Sequence, residues 1–316
     1  MIKGTYIFYE DGKEICRSEN IITKFGKRFL TNYIAGNVTF DKKDIAIGIA
    51  GETDYSISTS NSRLGFEFYR LPVSYGSIDI QQNGEGFTYS VIYKTTIPQD
   101  VAGIVKEIGL YPGTRTSVNN YDDKFITDFE DNSLWTLSSD GVTFPSIVTT
   151  NSPRIGQYLV KMTTSGSSSS IQYNTNINNL DISGYSVNDT LTFAFYEADA
   201  NLSNIKIRFY SSATDYYEAQ ISGDGSAGDR IKSISLGTML NNPINTPDAK
   251  AISKIAVIVT SDSGGATNVY FDGIRINDED TFDPSYGLIS RSVLDTPLTK
   301  LAGRQVDVEY RLDLSF

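Results

Sequence analysis

Two short segments constrain this chain more than any other feature: KEIGLYPG at Lys106–Gly113, and YGLISRSVLDTPLTK beginning at Tyr286. The first is an apolar run halted by Pro112-Gly113, a turn-forming pair. The second has the pattern of the strand that should follow it directly. Roughly 170 residues lie between them, the length of a whole domain. A β-domain opened at a loop to admit a second β-domain satisfies both, and loop tips are where chains accept insertions. The insert begins at FITDFEDNSLW (Phe125–Trp135) and ends at VYFDGIRI (Val269–Ile276). We therefore expect a mainly β protein. Residues 1–118 and 284–316 make a discontinuous outer β-domain with one short helix, and residues 122–280 make an inserted β-sandwich.

Composition agrees. A chain of 316 residues is long enough for two cores. Its 20 Tyr and 16 Phe favour strands and its 26 Gly favour tight turns. The net charge of −11, with no cluster of Lys and Arg, argues against a nucleic-acid backbone as partner. Cys16 stands alone, so no intrachain disulfide forms, and it reads as a small buried side chain on a strand. Folding in a reducing cytoplasm fits that usage. The opening MIKGTYIFYEDG lacks the apolar core of a signal peptide. No apolar run approaches the ~18 residues of a membrane span.

Histidine is absent, which removes Ser-His-Asp and Cys-His nucleophilic chemistry, histidine zinc sites and imidazole acid–base work. We expect no enzyme and no catalytic residues. A two-carboxylate hydrolase stays open as an alternative, since Asp and Glu total 38, but nothing selects a pair.

Along the chain, TYIFYEDGKEICRSE alternates on both sides of Asp11-Gly12, a hairpin signal. Phe25, Phe29, Leu30 and Tyr33 fall at helical spacing, with Thr23 as N-cap and Gly36-Asn37 as stop. Asp44–Glu52 reads as a short buried strand and Ser56–Ser62 as a polar loop. RLGFEFYRLPV sets Leu64, Phe66 and Phe68 on one face, and FTYSVIYKTTIP sets Phe87, Tyr89, Val91 and Tyr93 on one face. These two segments are expected to be antiparallel neighbours. The cleanest alternation is QVDVEYRLDLSF, with Val306, Val308, Tyr310, Leu312, Leu314 and Phe316 pointing one way. Glu67, Arg70, Glu107, Arg291 and Lys300 read as surface or rim charges, with inter-subunit ion pairs as the functional alternative.

The outer segments carry a family pattern: Asn20, Ile22, Thr23 and Gly26 after the hairpin, then IAIG, then Leu64, Glu67 and Arg70, then EIGLY, LISRSVL with TPLTK, and a terminal V-x-V-x-Y. This resembles virion proteins of tailed bacteriophages, small β-rich modules of tail, collar or capsid-decorating components. The resemblance implies a homo-oligomer that attaches to other virion proteins, in a particle assembled in the host cytoplasm.

Within the insert, LTFAFYEA, NIKIRFYSS and KIAVIVTSDSGGATNVYFDGIRI supply alternating strands at the spacing of a two-sheet sandwich. With FITDFEDNSLW, GQYLVKM and VYFDGIRI, the insert resembles the jelly-roll carbohydrate-binding modules. That resemblance implies a structural calcium held by Glu130, the main-chain carbonyl of Lys161, and Asp272. It also implies glycan contact through tyrosine rings, for which Tyr173, Tyr196, Tyr216 and Tyr217 are the candidates. Tyr216 and Tyr217 are adjacent on a strand and point to opposite faces, so only one can be buried. Trp135 is expected in the core. DGSAGD (Asp224–Asp229) reads as a plain turn and NDED (Asn277–Asp280) as an acidic linker.

The expected function is a structural component of a tailed-phage particle. Its insert would bind host-surface polysaccharide weakly, and copy number would multiply the affinity. A carboxylate-dependent glycan depolymerase and a purely architectural decoration or clamp protein are the alternatives.

Overall fold

The computed structural model describes residues 2–40, 43–83, 86–113, 124–137, 146–147, 154–278 and 287–315. The junctions expected at 118–122 and 280–284, and the second half of the NDED linker, lie outside them. Of the described residues 57% are in strands and 7% in helices, so the expectation of a mainly β protein holds, and its sheets are antiparallel. No helix among the described residues is long and apolar enough to cross a membrane.

The chain divides into two compact units, the first being Met1–Thr116 with Arg154–Gly156 and Phe282–Phe316, the second Ser117–Pro153 with Gln157–Thr281. The first unit has two five-stranded sheets. One runs Lys13–Glu19, Ile2–Glu10, Val306–Ser315, Gly86–Ile97, Tyr75–Asn83. The other runs Ile21–Ile22, Ser290–Lys300, Gly103–Tyr111, Asp44–Gly48, Glu67–Pro72. Asp11 and Gly12 both take positive φ, at 50° and 74°, as a two-residue hairpin turn requires. The inward positions Tyr6, Phe8, Val308 and Tyr310 of the first sheet share a core with Ile45, Ile47, Val105 and Ile108 of the second. Phe29 of the helix Lys24–Ile34 joins that core. Ser290–Lys300 pairs antiparallel with Gly103–Tyr111, Arg291 opposite Gly109.

Two expectations for this unit are corrected. The strand Glu67–Pro72 pairs with Asp44–Gly48, not with the strand at Phe87. Gly86–Ile97 instead pairs with Tyr75–Asn83 on one side and Val306–Ser315 on the other. Alternation marks a strand and its buried face, but it carries no label for the neighbour. Glu107 and Arg291 are not rim charges: both side chains are 0% exposed, with Nη2 2.9 Å from Oε2. Glu107 also accepts from the main-chain N–H groups of Gly65 and Phe66, and Arg291 donates to Asn61 Oδ1 and the Tyr55 carbonyl. The pair thereby satisfies polar groups of the 50–66 segment, the condition under which buried charge is tolerated. Lys300 is likewise buried, its Nζ donating to the carbonyls of Val101 and Leu301.

The second unit is a two-sheet sandwich. One sheet orders Trp135–Leu137, Ser170–Leu180, Ile252–Ser261, Leu202–Tyr210, Tyr216–Ser222, Pro243–Ile244. The other orders Ser146–Ile147, Val160–Thr163, Asn268–Asn277, Thr190–Glu197, Gly228–Ser235, with Lys124–Thr127 also on Asn268–Asn277. Phe193, Phe209, Val257 and Phe271 lie in the core between them. Trp135 is there as well, stacked on Phe129 with centroids 4.8 Å apart.

Candidate functional site

The outward face of the Ser170–Leu180, Ile252–Ser261, Leu202–Tyr210, Tyr216–Ser222 sheet carries a set of polar side chains tied to one another. Strand alternation builds it. In Leu202–Tyr210, Ile205, Ile207 and Phe209 go to the core and Asn204, Lys206, Arg208 and Tyr210 to the other face. Register then sets rows across neighbouring strands. Arg208 lies between Ala256 and Glu218, with Asn174 beyond Ala256. Lys206 lies between Ile258 and Gln220, with Gln172 beyond Ile258. Tyr210 lies between Lys254 and Tyr216.

These rows are locked by contacts. Glu218 accepts from Arg208 Nε at 2.7 Å and from Lys206 Nζ at 3.0 Å. Burial pushes the Glu218 carboxyl up, but the two cations outweigh it and hold it below the ordinary carboxylate value. Arg208 Nη1 donates to the Tyr210 hydroxyl at 3.3 Å, and Gln172 Nε2 donates to Asn174 Oδ1 at 2.8 Å. The rings of Tyr210 and Tyr216 meet at 4.8 Å, tilted by 44°. Arg208 lies 4.5 Å from the Tyr216 ring centroid and Lys254 3.9 Å from that of Tyr210. Such cation–ring contacts orient the cations at little cost in solvation.

The four tyrosines named from sequence are not brought together. Tyr216 is on this face, half-buried. Tyr217 turns into the core, its hydroxyl donating to the Pro247 carbonyl at 3.0 Å, so of this pair only Tyr216 faces outward. Tyr173 is 0% exposed, on the inward side with Ile171, and offers no ring face to a sugar. The phase of alternation, not residue type, decided that. Tyr196 is half-buried on the strand Thr190–Glu197 of the opposite sheet, 5.8 Å from Tyr270, whose ring has Lys161 Nζ at 5.7 Å. Tyr210, Arg208 and Lys254 escaped the sequence reading. For Arg208 and Tyr210 the signal was that N-I-K-I-R-F-Y puts its polar residues and Tyr210 on one side; Lys254 comes from the neighbouring strand Ile252–Ser261.

Glu130 accepts from the main-chain N–H of Gln157 on both carboxylate oxygens and from that of Tyr158, all at 3.0 Å. Burial pushes the Glu130 carboxyl up against those hydrogen bonds. Asp272 is 1% exposed and is the extra residue where the pairing of Asn268–Asn277 with Thr190–Glu197 slips. Val160 pairs with Phe271, the residue before Asp272. Lys161 is opposite Tyr270. Hard oxygen donors of this kind, one of them buried, suit calcium. Among the described residues no three Cys, Asp or Glu side chains converge as a metal site.

No family model matches the chain, and no curated protein matches it in sequence. Solved structures do match in shape. The family 11 carbohydrate-binding module from Clostridium thermocellum, in complex with a β-1,3-1,4-mixed-linked tetrasaccharide, is 16% identical over 49% of this chain and 95% of its own, at a TM-score of 0.36. The family 30 carbohydrate-binding module of a cellulosomal cellulase of the same organism is 13% identical over 51% of this chain and 96% of its own, at 0.35. An exo-β-agarase is 16% identical over 50% of this chain and 25% of its own, at 0.35. These similarities are too distant to transfer a ligand.

Proposed function

We propose that the protein is a structural component of a tailed-phage particle, in which the first unit attaches and oligomerises and the second binds host-surface glycan weakly in many copies. The observation that supports the glycan reading is the outward sheet face around Arg208. Amides and cations held by Glu218 and by the tyrosine rings stand together on one sheet, placed polar groups of the kind that fix a ligand's orientation. Repetition in an oligomer makes a weak site sufficient. The full chain, immobilised in many copies, should retain polysaccharide of the host surface without releasing reducing ends. Arg208→Ala should cut that retention at least about tenfold, roughly the 1.4 kcal/mol step of one strong contact. Release of reducing ends would favour a depolymerase, and no retention an architectural clamp. Peptides of this chain in purified particles are the test of the virion role.

The same reading includes one structural calcium ion on Glu130, Asp272 and the Lys161 carbonyl, pinning the opening of the second unit to its last strand. Calcium in about hundredfold excess over its Kd should then stabilise the chelator-treated protein by about 2.7 kcal/mol. Glu130→Gln with Asp272→Asn should remove the rise in Tm.

A further inference from the structure

The face around Arg208 has a chemistry that narrows its ligand. The tyrosines are not open stacking platforms: Tyr210 is 5% exposed beneath Lys254, and Arg208 lies over Tyr216. What the face presents is charge. Among the described residues, Lys206, Arg208 and Lys254 stand on it against a single carboxylate, Glu218. Glu218 is taken by Lys206 and Arg208, and among the described residues Lys254 has only the Tyr210 ring. Two excess cations on one sheet face contrast with a chain of net charge −11.

The geometry points to an anionic polysaccharide, a polymer carrying carboxylates such as uronic acids, as the ligand of this face. Lys254 supplies the counter-charge, Arg208 and Lys206 supply the flanking positive field, and the Gln172 and Asn174 amides receive and give hydroxyl hydrogen bonds. The inference rests on the glycan-binding reading above. Carboxylates pair well with a guanidinium whose remaining N–H groups are already oriented, as Glu218 orients those of Arg208. The acidic remainder of the chain repels polyanions elsewhere, so binding would concentrate here.

The test uses the full chain and affinity electrophoresis in polygalacturonate, alginate and hyaluronan, each beside its carboxyl-reduced, neutral counterpart. The expected result is retardation by at least one acidic polymer, weakened at least tenfold on carboxyl reduction and steeply by added salt. Lys254→Met, which keeps the apolar stem over Tyr210, should lower that affinity about tenfold with an unchanged Tm, and Lys254→Glu should abolish it. Equal binding of acidic and reduced polymers would overturn the inference and leave the glycan reading intact. Acidic-polymer binding untouched by both Lys254 variants would overturn it by placing the site elsewhere. No binding to any polymer of either series would overturn it, and failure on host-surface polysaccharide as well would remove the glycan reading with it.

Discussion

At the scale of single residues, charge in this chain is spent in two opposite ways. Asp224 is at the surface, where a hydrogen bond from Ser226 and the Arg230 guanidinium hold its carboxyl at about 2. Its folded value lies below the ~3.9 of an unfolded aspartate. The stability it contributes is therefore present above about pH 4 and lost as pH falls toward 2. A carboxyl-carbon NMR titration should show the midpoint at about 2, and Arg230→Gln should move it upward; no movement would detach Arg230 from the effect. Glu107 and Arg291 are the reverse case, with burial pushing the Glu107 carboxyl up while Arg291 and two amides oppose it. Arg291→Met leaves that carboxylate buried without its partner. It should cost about 3–5 kcal/mol in chemical denaturation, the penalty of an orphaned buried charge.

Among the elements, the helix Lys24–Ile34 depends on its first turn. Thr23 accepts from the Gly26 N–H at 2.9 Å, and its hydroxyl donates to the Leu288 carbonyl. Thr23→Ala should cost about 1–2 kcal/mol, more toward the upper end because two partners lose it together. Gly26 allows the helix to approach Ile289, whose carbonyl oxygen would be 2.1 Å from any Cβ placed there. Gly26→Ala should therefore destabilise more than Thr23→Ala, a ranking that denaturant midpoints can reverse or uphold. Strand character at Val306–Ser315 was plain from its alternation, because each residue's face follows from its neighbour's. The strand Tyr75–Asn83 was not. Its Ile78 and Ile80 are 70% and 57% exposed, so it lacks the buried face that makes a strand conspicuous.

For the whole molecule, the last strand is central to its sheet, with Ile2–Glu10 on one side and Gly86–Ile97 on the other. Deleting residues 306–316 should split the sheet into two hairpins, each with one edge left unpaired, and abolish soluble folding of the first unit. A truncated chain with wild-type near-UV circular dichroism would contradict that. The mainly β class, the hairpin at Asp11-Gly12, the capped helix and the opposed faces of Tyr216 and Tyr217 were all determined by the sequence itself. Each is local, set by turn chemistry or by the two-residue period of a strand. Which strands pair, which charges go inside and which side chains share the Arg208 face were decided only by the tertiary structure. Arg291 meets Glu107 across 184 positions, and Tyr210 meets Lys254 through a register that no local pattern encodes. Alternation says that a side chain has a face; only the assembled sheets say what that face meets.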